Sequence, residues 1–274
     1  MNERSSLGSM FVRTPYYVLT GGLVIIFLFP LVWAVVSSFS AQAGSAQALG
    51  YGFGNYERLF NFQEGLPRYF MNSVVIAALT VFFTVSVSTL GGYAFARFSF
   101  PGKNILFLIV LAILMVPYAT LLIPLFVLLR QLELDNTLVG LSLVLAVYQL
   151  PFATFMMRVS FEAVPTELEE AALVDGANRR QIVWHILTPL LMPAVATAGI
   201  ISLILSWNEF LLALSLTRAA AKTSPVGVQE FTGLYGTQWG NLTAASCMIA
   251  APIVVCVLVL RRRVVSGLAF GAVK

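Results

Sequence analysis

The residues with chemistry to offer gather in one stretch. Between Glu162 and Arg180 lie Glu162, Glu167, Glu169, Glu170, Asp175, Arg179 and Arg180, which take in five of the chain's twelve acids. Carboxylates so close together can serve acid–base catalysis when a nucleophile, a base or a metal stands beside them. No recognisable catalytic pattern of those companions is in the sequence. The one histidine, His185, has no H-E-x-x-H pattern around it, so a histidine-rich metal site is excluded. Gly102-Lys103 is followed by Asn104 and lacks the upstream glycine of a P-loop, so the chain does not hydrolyse ATP that way. There is no G-x-S-x-G elbow either. Cys247 and Cys256 are nine residues apart in one apolar stretch, about 13.5 Å along a helix. That is roughly twice the Cα separation a disulfide tolerates, and they read as small buried hydrophobes. Nothing here is catalytic, and no cofactor or metal is expected in the chain.

The acidic stretch makes better sense as a docking element. Thr166 is placed to cap a helix, with Glu169 three residues on to close a capping box. Glu167, Glu169 and Glu170 suit the positive end of the helix dipole. Leu168, Ala171, Ala172 and Asp175 fall at helical spacing, giving a small, smooth face that a partner can approach closely. Gly176 reads as the residue that stops the helix, and Asn178 as the cap of a second short helix through Arg179, Ile182 and Ile186, ended by Thr188-Pro189. Acids do not adsorb to a negatively charged inner leaflet, so a protein partner is the expected occupant.

The rest of the chain says where this element sits. Of 274 residues 59% are apolar and only 10% charged, against about 25% in a soluble domain. Mean hydropathy is +0.88. There is too little polar surface to cover a water-soluble globule. The chain reads as an all-α integral membrane protein with six spans: about Tyr16–Phe39, Tyr69–Phe98, Ile105–Leu129, Thr137–Phe161, Leu187–Thr217 and Leu242–Leu260. Ser40-Ala-Gln-Ala43 looks like a signal-peptide cleavage site, but the apolar run before it is longer than an h-region, so the first span is read as retained. With the N-terminus in the cytoplasm, eleven basic residues lie inside and five outside, which orients the chain with both termini cytoplasmic. The net charge of +4 comes from segment ends, not from a patch that would bind nucleic acid. Pro101-Gly102 marks a tight turn between spans two and three. The whole chain, 1–274, is expected to be one transmembrane domain, with the acidic loop at 164–189.

Prolines inside spans remove backbone hydrogen bonds, which a polar cavity or a neighbouring helix must replace. Pro117, Pro124, Pro151 and Pro252 stand in that position, and beside them lie Tyr118, Thr120, Tyr148 and Gln149. Asn208 and Glu209 are the most polar pair within an expected span. Pro117, Tyr118, Thr120, Tyr148, Gln149, Asn208 and Glu209 are therefore the candidates for a translocation path. Interhelical hydrogen bonding is the competing explanation for the same residues. The outer loop 218–241 carries Phe231, Tyr235, Gly236 and Trp239, as an interfacial or docking loop would.

Several motifs together resemble a known family. Glu170-Ala-Ala172, Asp175-Gly176-Ala177, Ile186 and Pro189 look like the EAA loop of binding-protein-dependent ABC importers, with Thr188 where leucine is usual. Tyr93-Ala-Phe-Ala-Arg-Phe-Ser-Phe-Pro-Gly-Lys103, Ser206-Trp-Asn-Glu-Phe-Leu211 and the tail Ser266–Lys274 are similar to the carbohydrate-uptake, maltose-transporter type. The resemblance implies the type I permease fold in the bacterial cytoplasmic (inner) membrane, with the EAA loop as a coupling helix between spans four and five. It implies a second six-span permease, two cytoplasmic ATPases that carry ATP and magnesium, and an outer sugar-binding protein. Carried over by residue, Glu169, Glu170, Ala171, Ala172, Asp175, Gly176 and Ala177 would dock on the ATPase. Gly267, Gly271 and Lys274 would form a second ATPase contact, and the loop with Phe231, Tyr235, Gly236 and Trp239 would meet the binding protein. A stand-alone carrier or channel is the alternative, and it lacks a central ion-coupling acid.

Overall fold

The computed structural model describes residues 4–40, 50–61, 65–233 and 236–272. In chain order the helices are α1 (Arg4–Ser38), α2 (Gly54–Asn61), α3 (Leu66–Arg97), α4 (Lys103–Ala112), α5 (Leu122–Gln131), α6 (Leu138–Glu162) and α7 (Glu167–Val174). There follow α8 (Arg179–Gln181), α9 (Thr188–Leu190), α10 (Met192–Trp207), α11 (Leu211–Leu216), α12 (Ser224–Val228) and α13 (Trp239–Ala272). Two-residue strands β1 (Thr232–Gly233) and β2 (Gly236–Thr237) pair antiparallel between α12 and α13.

Among the described residues four stretches are long and apolar enough to cross a bilayer: Tyr17–Ser38, Leu66–Arg97, Leu138–Glu162 and Trp239–Val259. Two bent pairs raise the number to six if each is one span. Lys103–Met115 meets Tyr118–Gln131 at 90°, and Arg179–Leu190 meets Met192–Trp207 at 79°. So where hydropathy draws continuous spans over 105–129 and 187–217, the backbone is broken. Proline accounts for the first break. Val116 is extended, as a residue before proline must often be, and Pro117 opens a 3-10 turn instead of continuing α4. At the second, Leu191 leaves helical geometry and Pro193 occupies the first turn of α10. Pro151 and Pro252 lie inside unbroken helices.

The chain divides into two compact units, residues 1–65 with 228–250 and residues 66–227 with 251–274. In the first, Asn55 donates from Nδ2 to the carbonyls of Ser38 (2.9 Å) and Ser40 (2.8 Å), tying α2 to the end of α1. Phe39, Phe53 and Tyr56 pack their rings around that junction.

The second unit is built on α3 and α6. Along α3, Thr80, Thr84 and Ser88 recur every four residues and are fully buried. Small polar residues at this spacing let two helices approach closely within a membrane. Ser142 of α6 donates to the Ile76 carbonyl at 3.3 Å, and Thr80 to the Ser142 carbonyl at 3.4 Å. At Gly92 the approach is tightest. A Cβ there would stand 2.6 Å from Met157 Cβ and 2.8 Å from the Arg158 backbone nitrogen.

Candidate functional site

α7 is closed at its C-terminal end as its sequence demands. Gly176 has φ +87, the left-handed conformation that glycine adopts without strain. Its N–H donates to the Leu173 carbonyl at 3.1 Å, and that of Ala177 reaches back to Ala172 at 3.0 Å. These two bonds form a Schellman motif, with Ala177 packed against the same apolar cluster as Ala172. Asn178 then starts the next helix. Its Oδ1 accepts from the Gln181 N–H at 2.9 Å, while Gln181 Oε1 accepts from the Asn178 N–H at 2.8 Å. This is a complete capping box. The helix it opens continues as a π-helix, Ile182–Leu187, and runs on through Thr188 and Pro189 to Leu190.

At the N-terminal end the expected box between Thr166 and Glu169 does not form, since the Thr166 side chain makes no cap bond. The reason is a stronger partner for Glu169. Its Oε1 accepts from Arg97 Nε, and its Oε2 from the Tyr93 hydroxyl at 3.1 Å. Arg97 and Glu169 side chains are 11% and 12% exposed. Glu169 thus turns inward. So does Ala172, which sits in the cluster of Tyr93, Met157, Phe161, Ile182 and Leu187. The smooth face expected from Leu168, Ala171, Ala172 and Asp175 is therefore split. What α7 turns outward is Glu167, Glu170, Ala171 and Val174, with Leu168 and Leu173 on its flanks. Val174 is 87% exposed, an unusual position for an apolar side chain on a polar loop. Asp175 and Gly176 are also exposed, and Ala177 is half-buried.

The path candidates separate into those brought together and those that stay local. The rings of Tyr118 and Tyr148 meet edge-on at 5.3 Å, and Glu209 lies within electrostatic reach of Tyr118. Tyr148 and Gln149 line a cavity of about 340 Å³ with Thr84, Leu114, Phe152 and Ser202. Ser202 donates to Gln149 Oε1, joining α10 to α6 inside the unit. Glu209 Oε1 accepts from the Leu212 N–H at 2.8 Å, so the acid caps α11 where the chain restarts after Trp207. Asn208 donates to the Ile204 carbonyl at 2.8 Å. Pro117 and Thr120 are exposed and bonded locally, the hydroxyl donating to the Pro117 carbonyl at 2.7 Å.

The loop after α11 is pinned more firmly than its composition suggests. Asn72 donates to the carbonyls of Ala220 (3.2 Å) and Lys222 (2.9 Å), and Ser73 Oγ accepts from the Ser224 N–H at 2.9 Å. Asn136 Oδ1 accepts from the N–H groups of Arg218 (2.7 Å) and Ala221 (3.3 Å). Phe231, expected at a partner surface, is instead buried at 5% exposure, whereas Trp239 is 58% exposed. Gly236 opens β2. Tyr235 and Lys274 fall outside the described residues, and Gly267 and Gly271 lie in the last turns of α13.

Residues 88–266 match the family described as the binding-protein-dependent transport system inner membrane component. The chain belongs to this family. It is a permease, the membrane-embedded translocation subunit of an ATP-driven importer. It is 32% identical over 98% of its length to the sulfoquinovosyl glycerol transport system permease protein SmoH of Agrobacterium fabrum, covering 96% of that protein. It is 36% identical to the trehalose transport system permease protein SugB of Mycobacterium tuberculosis, over 96% of this chain and 98% of that one. Among solved structures it matches a subunit of a bacterial ABC transporter involved in the import of the acidic polysaccharide alginate. There the TM-score is 0.74 at 23% identity, over 96% of this permease and 98% of that chain, which supports the type I permease fold.

Sequence reasoning about the permease missed the link between two of its own motifs. The Tyr93–Lys103 and Glu170–Ala177 stretches stood out separately, yet Tyr93 and Arg97 of the first hold Glu169 beside the second. The available signal was Tyr93 and Arg97 at i, i+4 on one helix face, ending an otherwise apolar span with a donor pair.

Proposed function

We propose that the permease is one of two six-span halves of a carbohydrate importer and engages a cytoplasmic ATPase through the outward face of α7. The observation that carries this reading is Val174, held in the open between Glu170 and Ala171 on a helix fixed at both ends. An apolar side chain flanked by an acid and a small residue suits an apolar cleft with a basic rim. ATP and magnesium belong to the two ATPase subunits, and ATP-driven closure of that pair moves α7. The breaks at Pro117 and Leu191 supply the places where half-helices turn as the path changes from inward- to outward-facing. Both termini are cytoplasmic on this reading, and the far loop, through the β1–β2 tip and Trp239, meets an outer solute-binding protein.

The cargo is a glycoside. The relatives are named for sulfoquinovosyl glycerol and trehalose, which share a glycosidically linked hexose ring. The aromatic faces of Tyr118 and Tyr148 and the Gln149 amide are of the kind that passes such rings. The test is purification of the tagged chain from its native membrane in mild detergent, followed by mass spectrometry of what accompanies it. A Walker-type ATPase, a second six-span protein and a binding protein are expected. That binding protein, screened by thermal shift against glycosides, names the cargo. A chain that emerges alone and transports without ATP overturns the reading.

A further inference from the structure

We infer that Tyr93, Arg97 and Phe98, at the C-terminal end of α3, form a three-point clamp that makes α7 and α3 move as one body, and that Glu169 is a positioning residue, not a docking one. The inference deepens the proposed function and rests on it. Each part of the α7 loop has its own attachment to that short stretch. At the loop's entry, Arg97 Nη2 donates to the Val164 carbonyl at 2.7 Å. In the helix itself, Glu169 takes Arg97 Nε on one oxygen and the Tyr93 hydroxyl on the other. At the exit, the Arg179 guanidinium lies 5.0 Å from the Phe98 ring centroid, in cation–π range. Tyr93 is itself locked, its ring meeting Phe161 of α6 and Phe98 edge-on at 5.5 and 5.7 Å.

Three separated attachments fix a short helix in orientation as well as in place. A single one would leave it free to swing about the contact. Glu169 has both oxygens occupied and little exposure, so it has nothing left to offer a partner. Glu170, its neighbour, is exposed and makes no ion pair among the described residues. Neighbouring acids therefore divide the work. Glu169 faces the membrane helices and Glu170 faces away.

Distance measurement between two spin labels tests this in the complex purified whole from its native membrane. Cys247 and Cys256 are first replaced by alanine, and labels are placed at Ser99→Cys and Thr166→Cys, both exposed, the second at a side chain that makes no cap bond. With Arg97 and Glu169 intact, one narrow distance is expected, the same without nucleotide and with ATP trapped by vanadate. Glu169→Gln should at least double the width of the distribution while the ATPase still co-purifies at half the parental level or more. Tyr93→Phe, which removes one of the two bonds to Glu169 and leaves the ion pair, should widen it less. The clamp is overturned if Glu169→Gln leaves the width unchanged, if Tyr93→Phe widens it more than Glu169→Gln does, or if Glu169→Gln strips off the ATPase without altering the distance. If no ATPase accompanies even the parental chain, the proposed function fails, and the distance widths still decide the clamp.

Discussion

At its N-terminal end α3 holds residues 220–227 chiefly through neutral hydrogen-bonding groups, with Lys222 lying 5.1 Å from the Tyr69 ring centroid, whereas at its C-terminal end it holds residues 164–179 chiefly through an ion pair and aromatic rings. The bonds at the first end run from side chain to backbone: Asn72 to two carbonyls, Ser73 from one N–H. Such bonds fix the path of the chain itself. At the second end the principal bonds join side chain to side chain, and the α7 backbone is satisfied internally by its helix and its Schellman turn. That leaves a finished rigid unit hung from a lever. One end of α3 shapes a loop; the other end carries a movable part.

The largest effect should come from forcing the two ends apart in stability. Gly92→Ala puts a Cβ 2.6 Å from Met157 Cβ and 2.8 Å from backbone, whereas Gly227→Ala meets the Tyr69 ring at 2.3 Å. Overpacking costs about 1–3 kcal/mol. Backbone cannot turn aside, so Gly92→Ala should reach the top of that range and Gly227→Ala should cost less. Thermal unfolding in detergent ranks them, and the opposite order would mean that the Tyr69 ring cannot turn aside. Next, Glu170→Ala should reduce ATPase retention about tenfold, equivalent to about 1.4 kcal/mol, while Asn72→Ala leaves retention alone. Unchanged ATP-dependent uptake after Glu170→Ala would remove α7 as the docking element.

Asn72→Ala should show itself elsewhere. It leaves two carbonyls without their donor, at about 1–3 kcal/mol, and trypsin should then cut at Arg218 and Lys222 several times faster. Equal cleavage rates would show that Asn136 and Ser73 hold that loop without Asn72. The smallest effect is expected at Thr84→Val. The Thr84 hydroxyl is buried at the cavity wall without a hydrogen-bond partner among the described residues, so its removal should leave the melting temperature level or raise it slightly. A clear fall would reveal a partner for that hydroxyl.

Rules that operate over a few residues were readable from the sequence. Gly176 stops α7, Asn178 caps its successor, and Pro101-Gly102 makes the turn after α3, with Gly102 at φ +80. Where a distant group competes, local rules fail. Glu169 was the natural partner for Thr166, but Arg97, 72 residues earlier in the chain, takes it. The same holds for exposure. Phe231 and Trp239 are both aromatic residues of one loop, and nothing in their spacing says that one is buried and the other open. Prolines marked the spans under strain without saying which would break. Pro117 coincides with a 90° bend, while Pro151 is carried within an intact helix. Helix packing around each proline decides that, and periodicity does not encode it.

α1 has a consequence for how the protein is made. None of the residues in its most apolar stretch, within Tyr17–Ser38, is buried against the rest of the chain. With a mean hydropathy of 2.5 over its apolar stretch, it is stable in lipid before it meets protein neighbours, so it can leave the translocon and settle in the bilayer before the segments that follow it have been synthesised. α1 therefore takes up its orientation while the parts that bear on transport are still unmade. A mutation there should surface as inverted or failed insertion of nascent chains, not as a defect in the finished machine.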